Sequence, residues 1–292
     1  MAAELLGING ACQEQDNKIL KIISFNLKHD LPFGRKKYRW NRRKELAAQL
    51  IKSSGASIIG VQELTPYMRQ DVEDLLSDEY SVMGFGRFYG VKENQDEHTD
   101  IIVKNDDLQV QYCKTFWLSK QPERYGSRAY YSFFPRICTV VEATLKATGQ
   151  RIRVFNTHFD HVCGLARNLG VRIILEYMEQ FNRTDPLPTI LMGDLNAKFN
   201  SRPIQILRQN LHPYPHVHLT DVYSSFDPQT ITNTLHLFSA KPKAGKSPID
   251  YIFVSDEFEV LESHIFTEDI DGGYPSDHFP LVATLRIKDR KQ

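Results

Sequence analysis

Five short apolar runs, each ending in an amide, carboxylate or imidazole, constrain this chain more than any other feature. They are Ile22-Ile23-Ser24-Phe25-Asn26, Ile58-Ile59-Gly60-Val61-Gln62-Glu63, Val154-Phe155-Asn156-Thr157-His158, Ile190-Leu191-Met192-Gly193-Asp194-Leu195-Asn196 and Ser276-Asp277-His278-Phe279-Pro280, the last leading into an apolar stretch. Apolar runs of this length bounded by polar residues read as buried strands. A buried strand that stops at Asn, Glu, His or Asp presents that group at the rim of its sheet. Five such ends, drawn from both halves of the sequence, imply one site assembled at one rim. Oxygen donors with a few imidazoles suit a hard divalent cation and a phosphate ester.

Between these ends the pattern alternates. The spacing of Trp40, Leu46, Ala47, Leu50 and Ile51 predicts a helix over 38–54 with one apolar face. Pro66 opens a second helix that runs toward Leu76, and residues 164–182 carry apolar side chains at helical spacing. Strands are predicted over 21–26, 57–62, 80–85, 100–103, 108–117, 136–145, 151–156, 188–193, 249–254, 259–267 and 279–287. Those at 139–145 and 151–156 form a hairpin around Lys146-Ala147-Thr148-Gly149-Gln150. Strict alternation would give a doubly wound parallel sheet. The hairpins favour an α/β fold of two mostly antiparallel sheets packed face to face, with outer helices. No linker divides the chain, so residues 18–292 read as one domain behind a loose polar leader over 1–17.

Charge and cysteines exclude some partners. The 36 basic side chains balance the 36 acidic ones, leaving no overall field to draw in duplex nucleic acid, although a local basic cleft escapes such a count. Cys12, Cys113, Cys138 and Cys163 are scattered without metal-type spacing, as expected of thiols in a reducing compartment. The N-terminus lacks a basic start and a long apolar run, and no stretch approaches a membrane span. These features lead us to expect a cytoplasmic, monomeric protein.

Each polar end has a chemical and a merely structural reading. Asp194 and Asn196, two apart after Gly193, can face one cavity and orient a water, or they can simply form an Asx turn. Asp277 beside His278 sets a cation ligand next to a proton carrier. Asp250 interrupts an apolar strand and needs a partner if buried; His278 is the candidate. Glu63 is a candidate ligand for a hard cation, with Asn26 supplying a neutral oxygen beside it. His158, Asp160 and His161 offer a competing zinc site, but their spacing lacks the usual helical geometry. Arg136 opens a strand at the rim, where a guanidinium can clamp a phosphate. The aromatics Phe116, Trp117, Tyr125, Tyr130, Tyr131, Phe133 and Phe134 read as a loop packed on the sandwich or as the floor of a base- or sugar-binding cleft.

Taken in order, these segments resemble the endonuclease/exonuclease/phosphatase superfamily of metal-dependent phosphoesterases, over Ile22 to Leu285. The stretches Phe116-Trp117-Leu118-Ser119 and 156–167 are most similar to a bacterial branch near the deadenylases. The resemblance implies a four-layer α/β sandwich with a Mg²⁺ or Mn²⁺ site at one end. It implies metal binding at Glu63, Asp277 and Asn26, and catalytic roles for His158, Asp194, Asn196, Asp250 and His278. Arg136 and Glu97 fall on the substrate-phosphate side, Glu97 as the partner of His158. In the family's abasic-site endonucleases an acidic residue stands where this chain has Lys28. The expected reaction is in-line attack of an activated water on a phosphoester, foremost a phosphodiester of nucleic acid. Inositol phosphates or phospholipid head groups are the alternatives. An inactive binding module would have lost one or more of these residues, and all are present.

Overall fold

The computed structural model describes residues 17–31, 35–92, 96–209, 213–227, 230–239, 241–243 and 245–289. The expected leader over 1–17, except its last residue, and Cys12 lie outside the described residues.

Among the described residues twelve strands run in the order β1 (Ile19–Asn26), β2 (Ile58–Gln62), β3 (Tyr80–Met83), β4 (Ile101–Lys104), β5 (Leu108–Trp117), β6 (Ile137–Leu145), β7 (Arg151–His158), β8 (Thr189–Asp194), β9 (Leu219–Asp221), β10 (Asp250–Ser255), β11 (Phe258–Ile265) and β12 (Leu281–Ile287). Among the described residues four helices, α1 (Lys44–Ser54), α2 (Pro66–Leu76), α3 (Gly164–Thr184) and α4 (Arg202–Arg208), join them. One sheet has the order β11-β12-β1-β2-β4-β3 and the other β5-β6-β7-β8-β10-β9. Only β1–β2 and β7–β8 pair in parallel; every other neighbouring pair is antiparallel. The expected pair of mixed, mostly antiparallel sheets with outer helices is what the chain forms.

The two sheets are built alike. In each half a strand, a helix, a parallel strand, a second helix and an antiparallel pair follow one another, β1 to β4 and then β7 to β10. Both faces of the central strands are buried, so their sequences read as apolar runs without alternation. On β1, Ile22 joins the core containing both sheets and α3 side chains, while its neighbour Ile23 joins the core under α1 and α2. Successive residues on a strand point to opposite faces, which makes four layers.

Where the sheets face each other they come close at Gly60. A Cβ there would meet Met192 Sδ at 2.5 Å and Asn156 Oδ1 at 2.8 Å, so only glycine fits without a shift. Asn156 spans the same gap, donating to the carbonyls of Val61 and Asp100 and accepting from Gln62 Nε2. These bonds satisfy the Asn156 amide, which is wholly buried.

Several element bounds differ from the sequence reading. Helix α1 begins only at Lys44, after two short 3₁₀ turns at Lys36–Tyr38 and Trp40–Arg42. Asp30 accepts from the Arg39 side chain and from the Trp40 backbone N–H, which competes with helix formation over these residues. Strands β7 and β8 continue to His158 and Asp194, past the expected ends at 156 and 193, because their parallel register still pairs those two residues. Helix α4 and strand β9, of seven and three residues, are too short to carry a periodic signal. Among the described residues no helix is long and apolar enough to cross a membrane.

Candidate active site

The rim positions converge. In register, Asn26 lies opposite Gln62 on the first sheet, and Asp194 lies between His158 and Asp250 on the second. The turn before β12 brings Asp277 and His278 to the same end, fixed by a bond from Ser276 Oγ to the Asn26 carbonyl. All five strand ends therefore meet across the gap between the sheets, around a cavity of about 440 Å³.

The backbone here is unusual. Lys28, Glu63 and Asn196 have φ of 60°, 63° and 46°, in the left-handed region that side chains other than glycine rarely adopt. Such strain persists where surrounding bonds over-determine the chain, and it concentrates at functional sites. Gly193, at φ 144°, is obligatory in another way. A Cβ on it would lie 1.9 Å from the Thr157 carbonyl oxygen of the adjacent strand.

On one wall, Asp250 Oδ2 lies 2.9 Å from His278 Nδ1, and His278 Nε2 lies 3.8 Å from Asp194 Oδ2. Burial disfavours the charged ring, but Asp250 and Asp194 outweigh it and push the His278 imidazolium up to about 10. Burial and the Asp250 charge together raise the Asp194 carboxyl. The Asp250–His278–Asp194 line is thus a buried row that keeps a proton on the ring.

Facing it, His158 Nε2 is 3.7 Å from Asp194 Oδ2. Burial, aided by Arg136, lowers His158 to about 3, so this imidazole is neutral at pH 7. Glu63 accepts from Asn26 Nδ2 and from the backbone N–H of His29. Burial raises the Glu63 carboxyl, but His158, the Lys28 ammonium and the Asn26 amide bring it well below its usual range. With His158 neutral near pH 7, Lys28, Asn26 and the protonated His278 are the groups that favour the charged carboxylate.

The geometry bears on two expectations. Asn26 was expected to offer an oxygen to a cation, yet its Oδ1 accepts the Lys28 backbone N–H. Its amide N–H groups instead reach Glu63 and Asp194, at 3.0 Å each. Only the NH₂ end can donate to two carboxylates, so Asn26 spaces them. Glu97 lies 3.8 Å from His158 Nδ1, which has no hydrogen-bond partner among the described residues. Its direct partner is Arg87, at 3.0 Å, a residue the sequence reading missed. His29 and Arg87 hold the Glu97 carboxyl down to about 2 against the cost of burial.

Arg136 also lines the cavity, donating to His161 Nδ1 at 2.8 Å. Asp160 accepts from the backbone N–H groups of Val162 and Cys163 and from Ser132 Oγ, which leaves the competing zinc arrangement without its carboxylate. Asn196 lines the cavity and donates to the Phe159 carbonyl. Arg43 is a second missed residue. It is 2 % exposed and donates to the carbonyls of Leu27, Lys28, Tyr38 and Pro275, tying the loop after β1 to the turn that carries Asp277.

The carboxylates fit a hard divalent cation. Asp277 Oδ1 is buried with no hydrogen-bond partner among the described residues, and Glu63, His158 and Asp194 each bring a ligand atom within 4.8 Å of the others. Oxygen donors beside neutral imidazole and two guanidiniums are the equipment of a metal-dependent phosphoester hydrolase.

Comparison with known proteins agrees. The model of the Endonuclease/Exonuclease/phosphatase family matches residues 23–278, and the chain belongs to that family of divalent-metal-dependent phosphoester hydrolases. A search of curated protein sequences gives no match. An endonuclease/exonuclease/phosphatase family protein from Bacteroides thetaiotaomicron is 26% identical and superposes with a TM-score of 0.81, covering 94% of this chain and 99% of its own. A mannosyl-6-phosphatase from the same organism is 27% identical, with a TM-score of 0.80, covering 91% of this chain and 99% of that one. The catalytic domain of human Nocturnin, at 16% identity and a TM-score of 0.70, covers 93% of this chain and 95% of its own and shares the fold.

Proposed function

We propose that this protein hydrolyses a compact phosphate ester by in-line attack of water, supported by Mg²⁺ or Mn²⁺. The Asp250–His278–Asp194 row facing His158 across the cavity carries this reading. Glu63 and Asp277 would hold the cation; when bound it neutralises charge on the phosphoryl group and the leaving oxygen. Asp194, with its carboxyl raised toward neutrality, takes the proton of the attacking water. His278, kept protonated by Asp250, donates to a phosphoryl oxygen and is a poor base. Asn196, neutral His158 and Arg136 hold the remaining oxygens, and Glu97 fixes the guanidinium side of the cavity.

An open cleft of about 440 Å³ has room for a sugar phosphate or similar small monoester. The similar mannosyl-6-phosphatase supports that substrate class. The sequence-based expectation of a nucleic-acid phosphodiester retains one specific support. Tyr130, Tyr131 and Phe133 are strongly exposed on the segment leading to Phe134 at the cavity, where single-stranded bases can stack.

A substrate panel with Mg²⁺ or Mn²⁺ decides between them: hexose 6-phosphates, inositol phosphates, p-nitrophenyl phosphate, bis(p-nitrophenyl) phosphate, and single-stranded RNA and DNA. Preferential turnover of the monoesters is expected. Efficient cleavage of RNA or DNA alone would reverse the substrate assignment, and no turnover of any would sink the enzymatic reading.

A further inference from the structure

Lys28 stands where its charge matters most. Its Nζ lies 3.6 Å from Asp277 Oδ2 and 3.9 Å from Glu63 Oε2, the two carboxylates read above as the cation's holders. The position is built rather than incidental. The Lys28 backbone is held at φ 60°, its N–H donates to Asn26 Oδ1, and its carbonyl accepts from buried Arg43. The bonds at its N–H and its carbonyl fix the root of this residue, and movement is left to the side-chain torsions.

We propose that Lys28 is a tethered counter-ion that competes with the divalent metal for Glu63 and Asp277, so that the ammonium must leave these oxygens for the metal to bind. The inference rests on the cation-holding role of that pair. An ammonium and a divalent ion within a few ångströms repel strongly in a partly desolvated site, and both need the same carboxylate oxygens. The side chain has somewhere to go. Lys28 lines the catalytic cavity and also an adjoining one of about 400 Å³, walled by Leu31, Tyr38, Leu237, Phe238 and the cations Arg35 and Arg39, the latter already paired with Asp30; its side chain is 29% exposed, so the ammonium can leave toward solvent. Its reach spans both. The protein would therefore carry its own placeholder cation, keeping two like charges from facing each other unscreened whenever metal is scarce.

The test is calorimetric titration of Mg²⁺ and of Mn²⁺ into the EDTA-treated, dialysed protein and its Lys28→Met and Lys28→Arg variants, together with thermal midpoints with and without saturating metal. Lys28→Met should bind metal about tenfold more tightly, since one charge at contact distance is removed, and Lys28→Arg should stay near wild type. Without metal, Lys28→Met should melt below wild type, with the gap closing on saturation. An unchanged or weaker affinity in Lys28→Met, or a metal-free midpoint equal to wild type, overturns the inference while the phosphoesterase reading stands. Binding of neither metal by any of the three proteins overturns both.

Discussion

His278 Nδ1 and Asp250 Oδ2 are 2.9 Å apart, and both residues are buried. The bond does two things at once: it fixes which ring nitrogen faces the cavity, and it stabilises the charged ring. Asp250→Asn keeps the shape and can still accept a bond, but it removes the charge. We expect kcat to fall by about 10²-fold or more with little change in KM, in steady-state kinetics on the best substrate of the panel. A variant within threefold of wild type, on the order of 0.6 kcal/mol, would remove Asp250 from the mechanism.

Glu63→Gln separates metal binding from folding. The amide's single oxygen can accept from Asn26 or from the His29 N–H but not from both, so the melting midpoint should fall only modestly, whereas affinity for Mg²⁺ should drop at least about tenfold. Titration calorimetry and a melting curve on the same sample read both. Equal affinity in the two proteins would move the cation elsewhere.

Gly193 tests the fold under the site. Adding a methyl group at φ 144°, 1.9 Å from the Thr157 carbonyl, forces the parallel β7–β8 pair apart. Urea denaturation of Gly193→Ala should show a loss of at least about 3 kcal/mol. A loss below about 1 kcal/mol would mean that the strands yield far more easily than their register implies.

Stability should fall as pH rises past neutrality, with His98 contributing alongside the raised His278. Burial lowers its affinity for a proton, but Asp100, whose Oδ1 is 3.3 Å from its Nδ1, and Asp96 outweigh burial and the opposing Arg69, so the folded-state value lies above 6.5. A raised folded value means a contribution fully present below the unfolded pKa near 6.5, and lost as pH climbs through the folded one. Melting midpoints measured upward from pH 6 should decline, and His98→Gln should flatten that slope. An unaltered slope in the variant would assign the decline to other groups.

How much of this was legible beforehand depended on distance along the chain. The strand ends announce themselves because apolar runs terminating in Asn26, Glu63, His158 and Asp194 are local patterns. Helix α2 begins at Pro66 and ends at Leu76, as its sequence implies, since its start signal and apolar spacing are also local. Arg43 was silent for the opposite reason: it acts on Pro275, 232 residues away, and looks from the sequence like any charge at a helix start. Arg87 was equally silent. It becomes significant only when the chain brings it to Glu97 and under the Phe134 ring, 4.6 Å from the ring centre. Lys28 was visible as a departure from related sequences, but its place between two carboxylates was not. The orientation of the Asn26 amide escaped too, because a strand-end Asn announces its position and not which end of its amide faces the site.

Gly60 is where this protein sets its own gape. Glu63 follows three residues beyond it on one sheet, and Asp194 two residues beyond Met192 on the other, so the contact of Gly60 with Met192 works as a fulcrum just behind the two jaws. Anything bulkier at that point would lever the cation side away from the water side while leaving every reacting group intact. The spacing of the reacting groups in this molecule therefore depends on a buried residue with no side chain that forms no part of the cavity wall.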